Sequence, residues 1–208
     1  MNGPVGATAL VLLGYLLGAV PVGVMVGRLT RGVDLRQLGS GSTGATNALR
    51  NIGPAAAVAV VALDVGKGVG AVLLARAWYQ AGPAGSPEWV AAAAGAAAVL
   101  GHVRSVFIGF RGGRGMATLT GGMLAILPLV VAILLPVFGI VVWRWRFVSL
   151  GSVTVAMLAP IICAALMPAG IGSLAAVAYA AVGGAVVVAA HRSNIRRLLA
   201  GTERRIGK

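Results

Sequence analysis

The chain has 208 residues, of which 59% are hydrophobic and only 10% charged, and its mean hydropathy is +0.95. Soluble domains carry about 25% charged residues, so this composition excludes one and leaves an all-α integral membrane protein. The net charge of +13 sits in short arginine clusters between apolar runs, a pattern of membrane orientation and anionic partners, so no nucleic acid partner is expected.

No charged side chain precedes Arg28, so Val5 to Gly27 reads as a first span of roughly 34 Å at 1.5 Å per residue. Pro21 and Gly23 are placed to kink its end. No basic region precedes this run, so a cleaved signal peptide is not expected. Residues 28–50 carry Arg28, Arg31, Asp34, Arg36 and Arg50 around the run Gly39-Ser-Gly-Ser-Thr-Gly-Ala-Thr-Asn47. Such a loop can wrap a polar ligand with backbone and hydroxyl groups, and Ala45 onwards reads as a helix start. Gly53 to Ala75 is the second span. It holds Asp64 and Lys67, three apart and on one helical face, either as an ion pair between helices or as part of a site.

The loop 76–88 is rich in Gly82, Pro83, Gly85 and Pro87, and Trp78, Tyr79 and Trp89 flank it as expected at a membrane interface. Trp89 to Val103 is a short third span ending at His102. Next comes Gly109-Phe-Arg-Gly-Gly-Arg-Gly-Met-Ala-Thr118. Its glycines can turn backbone N–H groups into one concavity, a helix opening at Met116 adds partial positive charge, and Arg111 and Arg114 suit phosphate oxygens. The alternative is a plain basic turn. Residues 115–143 are too short for two full-length spans and read as two short helices hinged near Pro128. Arg144-Trp-Arg-Phe-Val-Ser149-Leu-Gly-Ser152 follows. Phe147 to Leu166 and Ile171 to Ala190 are two more spans, and His191 opens a basic tail containing Asn194 and Glu203. Cys163 is the only cysteine, so no intrachain disulfide forms, and neither a metal site nor a cofactor is expected.

Fifteen of the 17 basic residues fall within 28–50, 104–114, 144–146 and 192–208, which the positive-inside rule puts on the cytoplasmic side. Parity then requires seven transmembrane helices, two of them short, with the N-terminus outside and the C-terminus cytoplasmic. The chain, 1–208, is expected to be a single transmembrane domain. All the polar segments converge on the cytoplasmic face, which favours a phosphate site over a plain turn.

Three segments together resemble a known family. Ser40-Gly-Ser-Thr-Gly-Ala-Thr-Asn47, Phe110-Arg-Gly-Gly-Arg-Gly-Met-Ala-Thr118 and His191-Arg-Ser-Asn-Ile-Arg-Arg-Leu-Leu-Ala-Gly-Thr-Glu203 look like the three motifs of the bacterial membrane-bound acyl-phosphate:glycerol-3-phosphate acyltransferases, the PlsY family. Asp64-Val-Gly-Lys67-Gly and Arg146-Phe-Val-Ser-Leu-Gly-Ser152 match further family segments. The family more often has lysine at Arg111 and Arg114 and often asparagine at Ser42; arginine keeps the charge and binds phosphate bidentately.

The resemblance implies transfer of an acyl group from acyl phosphate to glycerol 3-phosphate, an early step of phospholipid synthesis in the bacterial cytoplasmic membrane. Acyl phosphate, glycerol 3-phosphate and membrane lipid are then the partners. Ser40, Arg50, His191 and Asn194 are the catalytic candidates. The substrate-binding candidates are Ser42, Thr46, Asn47, Lys67, Arg111, Gly112, Gly113, Arg114, Gly115, Arg146, Ser149 and Ser152, with Asp64, His102 and Glu203 supporting them. His191, His102 and the donor's own phosphate all remain open as proton acceptors. The rival reading is a transporter of a phosphorylated solute, against which the absence of an internal repeat counts.

The side-counting generates a labelling pattern. With Cys163 replaced, single cysteines at Asn2, Ser86 and Gly170 react with an impermeant thiol reagent on intact cells. Cysteines at Arg36, Arg111 and Arg205 react only after permeabilisation; labelling of Arg111→Cys on intact cells contradicts the topology.

Overall fold

The computed structural model describes residues 3–80 and 86–207; Gly82, Pro83 and Gly85 lie outside them. The described residues are helical, with no strand among them. The first apolar run forms α1 (Gly3–Ala19) and α2 (Val22–Arg31), broken at Val20 and Pro21. Proline has no N–H, and its ring disfavours helical backbone in the residue before it. The carbonyls freed at this break are met from other elements: Lys67 Nζ donates to Val20 O at 3.2 Å and Ser105 Oγ to Ala19 O at 2.5 Å. An irregular backbone inside a bilayer requires such partners.

The loop after α2 is pinned by Asp34, whose carboxylate takes hydrogen bonds from the Arg36 side chain and backbone. The Arg36 guanidinium holds that carboxyl down to about 2. A short helix, α3 (Ala45–Asn51), precedes α4 (Pro54–Trp78), which starts with proline at its first position, and α5 (Pro87–Val103) does the same. Of the aromatics assigned to the interface, Trp78 and Trp89 are exposed, whereas Tyr79 is buried against Val72 and Val90.

Residues 115–143 divide as expected at Pro128, but unequally. α6 (Met116–Ile126) has 11 residues, and α7 (Pro128–Trp145) has 18 and is long and apolar enough to span. Only α6 is short. Pro136 lies inside α7 without ending it. The chain continues through α8 (Val148–Leu166) and α9 (Leu174–Ala190) to α10 (Arg192–Leu199), which bends from α9 by 60°. The joined α1–α2 segment, α4, α5, α7 and α8 have spanning length and composition, as does the bent α9–α10 pair if taken together.

Small residues let the helices approach backbone to backbone. Gly14 and Gly18 of α1 lie against the Ala94 and Ala98 carbonyls of α5, and Gly68 of α4 and Gly121 of α6 lie against Thr118 and Val65. A Cβ at any of the four would come closer than 3 Å to a carbonyl oxygen. This is the packing mode of helices in lipid, where apolar area alone does not drive association. α6 is further held by Tyr179 of α9, whose hydroxyl donates to Leu119 O at 2.9 Å. α7 is the peripheral helix: it packs on α6 and α8 and buries only Val130 and Leu134.

Gly18→Val pushes α1 off α5. Overpacking of this kind costs about 1–3 kcal/mol, so the variant's thermal midpoint in detergent falls clearly below that of the parent. An unchanged midpoint contradicts the close approach.

A candidate active site

A cavity of about 610 Å³ opens between α3, α4, α6, α7, α8 and α10. Its polar end is built first by the Ser/Gly loop. Asn47, 4% exposed, organises that loop. Its amide nitrogen reaches the carbonyls of Leu35, Leu38 and Ser42 at 2.8–3.0 Å, and its oxygen accepts from Ser40 N and Asn51 Nδ2. These bonds use the donors and acceptors that an amide offers. Asn47 therefore shapes the loop, while the Ser40, Ser42 and Thr46 side chains and Arg50 line the cavity with it.

The Gly/Arg loop differs from the expectation that its glycine N–H groups converge on an anion. Gly113 N donates to His102 O at 3.0 Å and Gly112 N to Val103 O at 3.2 Å, so both fasten the loop to the end of α5. Neither glycine lines the cavity, and Arg111 points to solvent. What the cavity meets is Arg114, Gly115, Met116 and Ala117. Gly115 sits at φ +80°, and a Cβ there would press on Val99, Val103 and Val187. It turns the chain into α6 with no side-chain cap, so the first N–H groups of α6 remain as donors beside Arg114.

The third wall comes from α8 and α10. Glu203 accepts from Ser149 Oγ at 2.7 Å, Asn194 Nδ2 at 2.6 Å and Arg197 Nε at 2.7 Å, tying the tail to both helices. Burial works against its carboxylate, but the hydrogen bonds from Asn194, Ser149 and Arg197 outweigh it and hold Glu203 below the usual carboxylate range. Asn194 Oδ1 is buried on the cavity wall with no hydrogen-bond partner in the protein. His191 sits at the α9–α10 bend, 3% exposed, with Nδ1 2.8 Å from Val187 O. A carbonyl only accepts, so Nδ1 carries the proton and Nε2 of the neutral ring is left as an acceptor. Ser152 lines the cavity with its hydroxyl bonded to Val148 O. Arg146 does not line it: its guanidinium bonds Ile206 O and its carbonyl accepts from Ile206 N, fixing the tail instead.

The charges are unbalanced. Arg50, Arg114, Arg197 and Arg204 line the cavity with the carboxylates of Glu203 and Asp64. Asp64 is already matched within its own helix, because Lys67 Nζ lies 2.9 Å from its Oδ1. Lys67 itself does not reach the cavity. Burial, and then the Arg197 charge, pull the Arg114 guanidinium below its usual range, opposed by Glu203. Guanidiniums that destabilise one another are stabilised by a bound anion. Beyond the polar end, Ser149, Ser152, Val155 and Ala159 descend one face of α8, roughly 15 Å at 1.5 Å per residue, into apolar walls from α6 and α7. Val61 of α4 and Leu135 of α7 line the cavity and are 44% and 63% exposed, so the groove opens sideways between those helices.

An arginine-lined polar chamber joined to an apolar groove is thus the main cavity feature of this fold. The family model described as glycerol-3-phosphate acyltransferase matches residues 8–201. The chain belongs to the glycerol-3-phosphate acyltransferase family. A glycerol-3-phosphate acyltransferase of Synechococcus sp. (strain CC9902) is 48% identical over 199 residues, covering 96% of this chain and 94% of its own. One from Rubrobacter xylanophilus is 45% identical over 198 residues, covering 95% and 94%. The crystal structure of PlsY (YgiH), an integral membrane glycerol 3-phosphate acyltransferase, in its glycerol 3-phosphate form superposes with a TM-score of 0.85. The identity is 38%, covering 97% of this chain and 96% of that one. Its lysophosphatidic acid form gives 0.83 at 37% identity.

Within this acyltransferase the cavity gathers Ser40, Ser42, Thr46, Asn47, Arg50, Asp64, His102, Arg114, Gly115, Ser149, Ser152, His191, Asn194 and Glu203. Lys67, Arg111, Gly112, Gly113 and Arg146 stand outside its lining. Arg197 and Arg204 were not among the sequence candidates. Arg197 follows Asn194 by three residues on one helical face, a readable signal. Arg204 enters through the tail fold, which has none.

Glu203→Ala strands three donors, so turnover is expected to fall about tenfold or more, with faster trypsin cleavage after Arg204. Because the folded-state pKa of Glu203 is depressed, its contribution is complete above the ordinary value of about 4.3 and is lost only as pH falls through the lower folded value. In the parent the tail therefore stays protected at pH 5, which limited proteolysis with a protease active at that pH reads out.

Proposed function

We propose that this membrane acyltransferase uses acyl phosphate as donor and glycerol 3-phosphate as acceptor, giving 1-acylglycerol 3-phosphate and phosphate. The observation that carries this reading is the single cavity that joins an arginine-rich chamber to a groove open between α4 and α7. Both substrates bear phosphate, and one bears an acyl chain that has to arrive from the bilayer. The solved relatives, in glycerol 3-phosphate and lysophosphatidic acid forms, support acceptor and product of this kind.

In this mechanism the acceptor hydroxyl oxygen attacks the acyl carbonyl carbon, and the carbon–oxygen bond to phosphate breaks. Phosphate is a good leaving group, so the protein contributes mainly by positioning and by stabilising charge. The start of α6 with Arg114 receives the acceptor's phosphate. Ser40, Ser42, Thr46 and Arg50 receive the other, with Arg197 between them. Asn194 Oδ1, free on the wall, accepts from a substrate hydroxyl. The proton goes to the departing phosphate or to Nε2 of His191, the histidine nitrogen that the fold leaves as an acceptor.

The basic clusters support seven transmembrane helices, counting the short α6, with the N-terminus outside and this chamber on the cytoplasmic face of the bacterial cytoplasmic membrane. One domain would then carry the whole activity.

Two histidines are available to a thioester-using acyltransferase, and neither has an aspartate five residues on: Phe107 follows His102 and Arg196 follows His191 at that distance. The fold does bring Asp64 Oδ1 within 3.4 Å of His102 Nδ1, but the other edge of that ring is covered by Gly113. Purified protein is expected to release phosphate from palmitoyl phosphate only when glycerol 3-phosphate is present, and not to turn over palmitoyl-CoA. Comparable rates with the thioester, in protein free of other acyltransferases, overturn the donor assignment.

A further inference from the structure

His102 is 5% exposed and Asp64 2%, and both stand among the residues that line the cavity. Nδ1 lies 3.4 Å from Asp64 Oδ1, longer than a well-made hydrogen bond and within ion-pair range. The Nε2 edge occupies the place that a side chain on Gly113 would take: a Cβ built there falls closer than 3 Å to Nε2 and within 3.1 Å of Cε1 and Cδ2. The backbone of the same residue adds a second hold, because His102 O accepts from Gly113 N at 3.0 Å. One residue therefore grips the Gly/Arg loop with both ring and carbonyl, two positions before Gly115 turns the chain into α6. The ring lies beside a carboxylate that is paired with Lys67, and Lys67 in turn reaches Val20 O at the α1–α2 break.

We propose that His102, braced by Asp64, is a positioning residue that sets the Gly113–Gly115 turn and so aims Arg114 and the N-terminus of α6 into the cavity. The ring is a spacer against Gly113, and glycine is required there because the ring fills the side-chain position. The direction of aim is the effect that matters: a misplacement of about 1 Å of a substrate-holding group can cost around a hundredfold in rate. This inference rests on the reading that the α6 start holds the acceptor's phosphate.

The test is a double-mutant cycle on the purified full-length enzyme: His102→Ala, Gly113→Ala and both together, with kcat and KM measured for glycerol 3-phosphate and for palmitoyl phosphate. Either single change is expected to raise KM for glycerol 3-phosphate about tenfold, with KM for palmitoyl phosphate changed less than about twofold, since the groove is untouched. The double variant is no worse than His102→Ala, because the new methyl group enters the space that the ring has left. Losses that multiply in the double variant overturn the proposal, because Gly113 then acts independently of the ring. Non-additive losses that fall on KM for palmitoyl phosphate keep the positioning role and overturn the acceptor assignment of this turn.

If His102→Ala does not fold, His102→Asn provides the same cycle. It keeps a polar group beside Asp64 and withdraws the edge that touches Gly113. A merely structural role lowers the thermal midpoint while leaving the ratio of the two KM values unchanged, and that result also overturns the proposal.

Discussion

Asp64 is a carboxylate on the second spanning helix with 2% of its side chain exposed, and three elements depend on where it points. Through Lys67 it reaches the carbonyl released where α1 breaks into α2. Through His102 it reaches the end of α5 and the turn that starts α6. A lone carboxylate in hydrocarbon would be strongly disfavoured, and its ammonium and imidazole neighbours make the position tolerable. The same neighbours make it a joint between helices that otherwise meet through small residues.

The chamber follows from how backbone groups are satisfied at depth. A spanning helix consumes its own N–H and C=O groups, so donors for an anion arise only where helices start or break. Among the described residues, the Ser/Gly loop ahead of α3 and the Gly/Arg turn ahead of α6 are such places facing one cavity. The bend between α9 and α10 brings His191 and Asn194 against them. α7 stands apart with only two buried residues, which leaves the apolar end of the cavity open to lipid beside α4. One cavity thus runs from an arginine-lined polar end to an apolar groove.

Much of this was legible in the residues. Apolar runs marked the helices, Pro128 marked the hinge, and three short polar motifs marked the segments that converge. Individual roles within the motifs were less legible. Asn47 reads as a ligand contact beside hydroxyl groups, yet its amide is spent on five partners within its own loop. Gly112 and Gly113 read as phosphate donors, yet their N–H groups go to α5. Arg111 and Arg146 have the right chemistry and point elsewhere.

By itself the sequence determined the membrane-helical class, the helix breaks and the polar segments that meet at one cavity. Hydropathy, proline and glycine act locally, so they can be read without knowing neighbours. The family resemblance carried in three motifs had the same local origin. Only the tertiary structure decided which groups within each motif are spent on the protein and which remain for a ligand. It alone joined Asp64 to His102 across 38 residues, and Glu203 to Ser149 across 54. The physical reason is that a donor or acceptor has few bonds to give. Which partner takes them depends on residues brought together by packing, and spacing along the chain does not record that.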